Sequence, residues 1–230
     1  GDWSSDVCSS DLMIIAIDGP AASGKSTTAK GVSQILDIPY LDTGAMYRAI
    51  TYFVLENKID IEDASVLKQV LDDIKIRFES ENGKNEIYLK GKKVTSLIRT
   101  TAVTSHVSRI SAVKDIRISM VKLQRSIGEE NGCVMEGRDI GTVVFPHADF
   151  KFFLIADIEV RAKRRLKDLA ELGETKSLEI LMEEIEKRDK MDSSRDYSPL
   201  AKADNAIEID TGVLSIDEQI EIIIKRVTNK

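Results

Sequence analysis

Gly19, Pro20, Ala21, Ala22, Ser23, Gly24, Lys25, Ser26 and Thr27 spell G-x-x-x-x-G-K-S-T, and they stand between an apolar run at 13–17 and a helical pattern at 25–36. The chemistry that suits this spacing is the holding of a polyphosphate. Glycines let backbone N–H groups close on phosphate oxygens, the helix start favours an anion, and Lys25 reaches the outer phosphates. The Ser26 hydroxyl is then placed as a magnesium ligand. Pattern and context together predict a nucleoside triphosphate site and leave open what the phosphates are used for.

Three other stretches carry groups suited to anions or to a polar ligand. In Leu41-Asp42-Thr43-Gly44-Ala45-Met46-Tyr47-Arg48 a hydroxyl stands at a helix start and a guanidinium follows about a turn later. The fork of Arg48 matches a phosphate, although an exposed helical Arg read alone is usually just a solvated charge. Glu136-Gly137-Arg138-Asp139-Ile140-Gly141-Thr142 follows a strand pattern, so it falls beyond the carboxyl end of a sheet strand, where open α/β sheets bind ligands. Arg138 and Asp139 there either read a ligand or pair with each other. Arg161, Lys163, Arg164, Arg165 and Lys167 lie on one helical stretch, with Arg188, Asp189, Asp192 and Arg195 further on. Such a run is commonly a solvated face, yet mobile arginines that close over two polyanions are one way to support phosphoryl transfer.

The elements that position these residues follow from periodicity. Buried-strand runs alternate with helical patterns, which predicts an α/β chain with a mostly parallel sheet flanked by helices. Strands are expected at 13–17, 40–41, 133–135, 150–155 and 206–209, and helices at 25–36, from Ala45 to about Glu56, within 101–127, at 158–172 behind an Asp157 cap, at 178–188 and at 216–227. Gly128 to Gly132 is expected to break the preceding helical stretch. Between 59 and 100 the pattern changes: 74–79 and 85–89 alternate around an Asn82-Gly83 turn signal, which predicts a small antiparallel insertion. His106 and His147 lack metal-ligand spacing, and Cys133 sits in an apolar strand as a buried thiol.

Composition bounds the reading. The chain has 230 residues, 42% apolar and 31% charged, enough for one sizeable core rather than two. A net charge of −6 argues against broad binding to nucleic acid or anionic lipid, and no apolar run nears a membrane span. Two cysteines do not make a disulfide framework, so the expected compartment is the cytoplasm. Residues 1–12, GDWSSDVCSSDL, have no period and no signal-peptide character, and one back-translation of them reads like a sequencing adapter joined in frame. Met13 is the expected native start; without the leader the chain loses Asp2, Asp6 and Asp11, and with them half its net charge.

Taken together, IDGPAASGKST, LDTGAMYR, the β-rich insertion, EGRDIGTVVFP, RAKRRL, RDKMDSSRDYSPL and AIEIDT resemble, in this order and over nearly the whole chain from Met13, the bacterial cytidylate kinases, which are P-loop nucleoside monophosphate kinases. The resemblance implies one domain over 13–230 with a P-loop NTPase-type sheet, a monophosphate-binding insertion at 59–100 and a helical lid at about 157–195. It implies transfer of the γ-phosphoryl group of ATP, with Mg2+, to CMP or dCMP, giving CDP or dCDP and ADP, by a monomer. Residue by residue, it implies that Ser108, Arg117 and Asp139 face the cytosine, that Arg48, Arg138 and Arg188 hold its phosphate with Thr43 nearby, and that Asp192 and Arg195 lie near the ribose. Lys25, Arg161, Arg165 and Arg188 are the implied catalytic charges. Two positions depart from the pattern: Glu136 stands where many relatives have Asp, and Thr43 where many have Ser, and each keeps its functional group. The rival readings are a kinase for another small acceptor and a nucleotide-hydrolysing switch, and the chain shows no water-positioning residue for the latter.

Overall fold

The computed structural model describes residues 12–81, 84–171 and 173–229. Along the chain run β1 (Ile14–Asp18), α1 (Lys25–Leu36), β2 (Tyr40–Asp42), α2 (Thr43–Glu56), α3 (Ala64–Asp73), β3 (Ile76–Glu81), β4 (Lys84–Leu89) and β5 (Lys92–Lys93). They are followed by α4 (Thr101–Ser111), α5 (Lys114–Asn131), β6 (Cys133–Gly137), β7 (Phe150–Ile155), α6 (Ile158–Glu171), α7 (Leu178–Ser193), β8 (Ile207–Asp210) and α8 (Ile216–Thr228). The central sheet is parallel in the order β2-β6-β1-β7-β8, and β1 is buried along its whole length. Because successive strand side chains point to opposite faces, β1 feeds two cores. Ile14 and Ala16 pack with Met46, Ile50, Ile116 and Met120 from α2 and α5. Ile15 and Ile17 pack with Ala29 and Val32 of α1 and Ile223 of α8.

The insertion forms a separate antiparallel sheet, β3-β4-β5, paired from Ile76 opposite Leu89 to Glu81 opposite Lys84. Ile76, Ile87, Leu89 and Val94 join the same core as α2, so the insertion is fastened to the parent sheet's packing. Its expected Asn82-Gly83 turn lies outside the described residues, as do residues 1–11 of the leader. The helix α3 within this region is an addition to the sequence reading. Asp63 caps it, accepting from the N–H groups of Ser65 and Val66, and Val66, Leu67, Val70 and Leu71 recur at helical spacing.

The predicted break at Gly128 is corrected by the structure. The helix α5 continues through Gly128 to Asn131 and ends at Gly132, whose left-handed φ of 63° lets its N–H donate to the Gly128 carbonyl at 2.9 Å. Gly128 serves packing: a Cβ there would meet the Phe145 ring at 2.7 Å and Ile14 Cδ1 at 3.3 Å. Gly128→Ala is therefore expected to destabilise the fold by about 1 kcal/mol net, overpacking outweighing the gain in helix propensity. Thermal unfolding should show it as a midpoint about 2–4 °C lower. The strand after Cys133 and the helix after Leu178 also run further than their apolar patterns, to Gly137 and Ser193, which puts Asp192 on the same helix as Arg188.

Among the described residues no helix is long and apolar enough to cross a membrane.

Candidate functional site

The phosphate-binding loop lies between β1 and α1, as the motif requires. Gly19 has φ 149° and Gly24 φ 89°, and a Cβ at Gly19 would sit 2.2 Å from the Leu154 carbonyl oxygen of β7. Ala22, with φ 58°, completes the turn. Ser26 and Thr27 are exposed at the start of α1, whereas Ser23 and Lys25 are buried. Lys25 Nζ donates to the Pro20 carbonyl at 2.6 Å and to Ser23 Oγ at 3.2 Å. Burial, helped by the nearby cations Arg138 and Arg188, brings its pKa down to about 7, against the opposing pull of Glu136 and Asp18. A charge held this reluctantly is one that a polyphosphate would stabilise.

Asp18, the last residue of β1, fastens a second loop to the first. Its carboxylate accepts from the N–H groups of Ile140 at 2.9 Å and Gly141 at 2.7 Å, at the start of a π-helical turn spanning Ile140–Val144. Arg125 of α5 holds the far end of that turn by donating to the Val143 and Val144 carbonyls. Sequence reading missed this clamp, whose only local sign is a carboxylate ending an apolar run. Burial raises the Asp18 pKa to about 7 against those two N–H groups, with the Asp139 charge adding and the Lys25 charge subtracting. The folded protein thus keeps this proton to higher pH than the unfolded chain, and stability drains as pH rises from about 4 to 7, by up to about 1.4 kcal/mol per pH unit. The thermal midpoint of wild type relative to Asp18→Asn should fall from pH 5 to 7 and level off near 8. A gap that is constant with pH would return Asp18 to the ordinary carboxylate range.

The groups assigned to an acceptor come together beside this loop. Arg117 Nη2 donates to Asp139 Oδ2 at 2.6 Å with both side chains buried, and Arg117 Nη1 donates to the Ser111 carbonyl. Arg138 Nε donates to Asp192 Oδ2 at 2.9 Å, and Arg195 pairs with the other oxygen of Asp192 and approaches Ser111 Oγ at 3.4 Å. Burial alone would raise the Asp192 carboxyl, yet Arg138, Arg195 and Arg188 hold it below the usual range. Thr43 Oγ1 donates to the Glu136 carbonyl at 2.6 Å, and Ser108 is half-buried on α4. Arg48 donates to Thr104 Oγ1 at 2.9 Å. Its pKa is lowered by burial and, beyond that, by Arg165, Arg99 and Arg138, with Asp42 opposing. Burial, Arg138 and Arg48 take Arg188 down to about 9, and among the described residues its Nε has no hydrogen-bond partner. Arg48, Arg99, Arg138, Arg165 and Arg188 converge here, with Asp42, Asp189 and Asp192 as the carboxylates that oppose their charge. Arg99, at the end of the insertion, had not been singled out from the sequence.

The basic helix α6 divides its charges among different tasks. Lys163 pairs with Glu159 on the surface. Arg164 donates to the Thr211 hydroxyl at 3.0 Å and carbonyl at 2.6 Å, tying α6 to the loop after β8. Arg161 donates to the Ala156 and Ala21 carbonyls and pairs with Asp189, while Asp189 accepts from the Ala21 N–H at 3.0 Å. Arg161 and Asp189 therefore hold the two peptide groups that flank Ala21 in the phosphate loop. Arg165 is half-buried and faces the Arg48 cluster.

Glu136, noted in the sequence only as a departure, lies at the centre. It is buried, accepts from Tyr40 Oη at 2.5 Å and is within hydrogen-bonding reach of the Ser26 hydroxyl. Burial and Asp42 raise its pKa, while Lys25, Ser26 and Tyr40 oppose them. Among the described residues no three His, Cys, Asp or Glu are grouped to hold a metal. A hydroxyl with one carboxylate nevertheless fits Mg2+, which takes one or two protein ligands and completes its shell with phosphates and water. His106 is exposed and bonds through Nδ1 to the Ala102 carbonyl, and burial pushes the Cys133 thiol up to about 12, an inert core group.

Comparison with known proteins gives the family. A family model described as cytidylate kinase matches residues 15–229. The cytidylate kinase of Halalkalibacterium halodurans is 48% identical over 212 residues, 92% of this chain and 96% of its own. That of Bacillus cereus is 48% identical over 214 residues, 93% of this chain and 95% of its own. Among solved structures, an uncharacterized protein from Eubacterium ventriosum matches 96% of this chain and all of its own with a TM-score of 0.56 at 16% identity, a likeness of fold alone. The chain belongs to the cytidylate kinase family.

Proposed function

We propose that the protein transfers the γ-phosphoryl group of ATP to CMP or dCMP, giving CDP or dCDP and ADP. The observation that carries this reading is the convergence of Arg48, Arg138 and Arg188 beside the buried Arg117–Asp139 pair, alongside a complete phosphate loop. A second phosphate is what that many guanidinium groups require, and a polar base edge is what the pair can read. Cytosine offers an amino donor at N4 and acceptors at N3 and O2, which a carboxylate, a guanidinium and the Ser108 hydroxyl can match. Uracil reverses the first two and leaves buried groups mispaired.

The acceptor phosphate is already a nucleophile at neutral pH, so the work is alignment and charge neutralisation. Gly19 to Thr27 hold the ATP phosphates, with Lys25 on the outer ones. Arg48, Arg138 and Arg188 orient the acceptor phosphate, Thr43 lies beside it, and Asp192 and Arg195 approach the ribose. Arg161 shapes the loop through Ala21, and Arg165 and Arg188 bring charge to the transferring group. Ser26 and Glu136 would hold Mg2+, which would supply positive charge to the phosphates. The domain spans 13–230, with the insertion at 59–100 and a lid at about 157–195. The lid helices carry a small core of their own, Ala162, Leu169, Leu181 and Ile185, which lets them move together. The enzyme works as a monomer, since one chain supplies every group named, and in the cytoplasm.

The test is ADP release by the protein starting at Met13, with ATP and Mg2+ and CMP, dCMP, UMP, AMP, GMP or no acceptor. Release that requires CMP or dCMP supports the reading. A preference for AMP or GMP overturns the base assignment, and acceptor-independent turnover overturns the transfer itself.

A further inference from the structure

Of the stretches that carry the resemblance, AIEIDT near the end of the chain has no part in the chemistry proposed above. Its last residue, Thr211, directly follows β8 and is fully buried. The Thr211 hydroxyl donates to the Ser23 carbonyl at 2.9 Å, across 188 positions of sequence, and lies 3.0 Å from the Ile155 carbonyl at the end of β7. The Ile155 carbonyl already receives the Thr211 N–H at 2.8 Å, and the hydroxyl has one proton to give, so Ser23 is its better acceptor. The same hydroxyl oxygen accepts from Arg164 Nη1 of α6 at 3.0 Å, while Arg164 Nη2 donates to the Thr211 carbonyl at 2.6 Å. A charged donor on one side of a hydroxyl strengthens the bond that the hydroxyl donates on the other.

Ser23 is buried in the phosphate loop, one peptide before Gly24, whose left-handed φ of 89° precedes α1. In a planar trans peptide the carbonyl oxygen and the following N–H point in opposite directions. A Ser23 carbonyl tied to Thr211 therefore turns the Gly24 N–H away from Thr211, and a glycine is the residue whose backbone would otherwise swing most freely. A valine at 211 would fill the same volume, so packing alone does not call for the hydroxyl. The rest of the loop after β8 is fastened independently: Gln219 Nε2 of α8 donates to the Leu214 carbonyl at 3.0 Å, and Gln219 Oε1 accepts from Thr28 Oγ1 of α1 at 2.8 Å.

We propose that Thr211 is a positioning residue for ATP: its hydroxyl, held by Arg164, fixes the Ser23–Gly24 peptide so that the Gly24 N–H faces the ATP phosphates. This rests on the reading of residues 19–27 as the loop that holds those phosphates.

Thr211→Val and Thr211→Ser test it, by calorimetric titration with MgATP in the absence of acceptor, by initial rates with CMP and by thermal midpoints. Valine keeps the shape and removes the hydroxyl; serine keeps the hydroxyl and removes a buried methyl. Thr211→Val is expected to weaken MgATP binding about tenfold and to raise the KM for ATP in step, the low end of the scale for a hydrogen bond to a charged group, with the KM for CMP within twofold. Thr211→Ser is expected to bind MgATP within threefold of wild type, although its midpoint falls as far as that of the valine variant, by about 2–4 °C. MgATP binding within threefold of wild type in folded Thr211→Val overturns the inference, as does an equal loss in Thr211→Ser, which would leave Thr211 a packing residue. Should Thr211→Val not fold, Thr211→Ala decides by the same criterion. Wild-type protein that does not phosphorylate CMP overturns the proposed function instead, and the MgATP affinities still decide the role of Thr211.

Discussion

Lys25→Ala is expected to lower kcat by roughly 10²–10³, the scale for losing one preorganised group that stabilises charge in the transition state. The Lys25 ammonium bonds to the loop's own Pro20 carbonyl and Ser23 hydroxyl, inside a field made positive by Arg138 and Arg188. Removing it relieves a desolvated cation and costs only two local hydrogen bonds, so the variant should fold with an unchanged or higher thermal midpoint. Charge on the γ-phosphoryl oxygens is where the lysine becomes favourable, and its loss should therefore fall on kcat more than on the KM for ATP. Rapid-quench measurement of a single turnover, alongside the midpoint, separates chemistry from product release. A folded variant whose kcat stays within about threefold of wild type would remove Lys25 from the catalytic step.

What sequence reading could reach was set by how local each signal is. The phosphate loop is contiguous, its glycines and lysine fixed by spacing, and it lies between β1 and α1 as expected. Phe150–Ile155 and Lys25–Leu36 match their patterns end to end because nothing distant alters their periodicity. The guanidinium cluster was legible in part, since Arg48, Arg138 and Arg188 each sit in a motif, but Arg99 belongs to none and arrives only through the packing of the insertion against α2. Asp18 bonds across 122 and 123 positions to the turn at 140–141, and no periodicity carries such a link. The course of α5 through Gly128 was hidden for a related reason: whether a glycine ends a helix or receives a ring depends on Phe145, seventeen residues away. Glu136 looked like a minor departure until Tyr40 and Ser26 were brought to its carboxylate by the neighbouring strand and helix.

Asp139 is the position where specificity and stability are hardest to separate, and the structure decides which substitution can separate them. Its carboxylate receives Arg117 Nη2 in a site from which water is excluded, so Asp139→Ala would strand a buried guanidinium at a cost of about 3–5 kcal/mol. Loss of activity in that variant could come from unfolding alone. Asp139→Asn keeps the shape and an acceptor oxygen for Arg117, and exchanges the second acceptor for a donor. Toward the cytosine amino group that exchange sets donor against donor; toward the uracil carbonyl it sets donor against acceptor. The expected outcome is a fall in kcat/KM for CMP on the order of 10², a KM for ATP within twofold, and UMP use that is preserved or improved. Steady-state rates with both acceptors, measured on protein whose thermal midpoint is known, check all three. On the proposed reading the ATP phosphates lie against the loop at 19–27 and the base against Asp139. A purely structural role would therefore depress ATP and CMP parameters together, whereas a role in reading the base must shift the preference away from the acceptor with an amino group at that edge and toward the one with a carbonyl there.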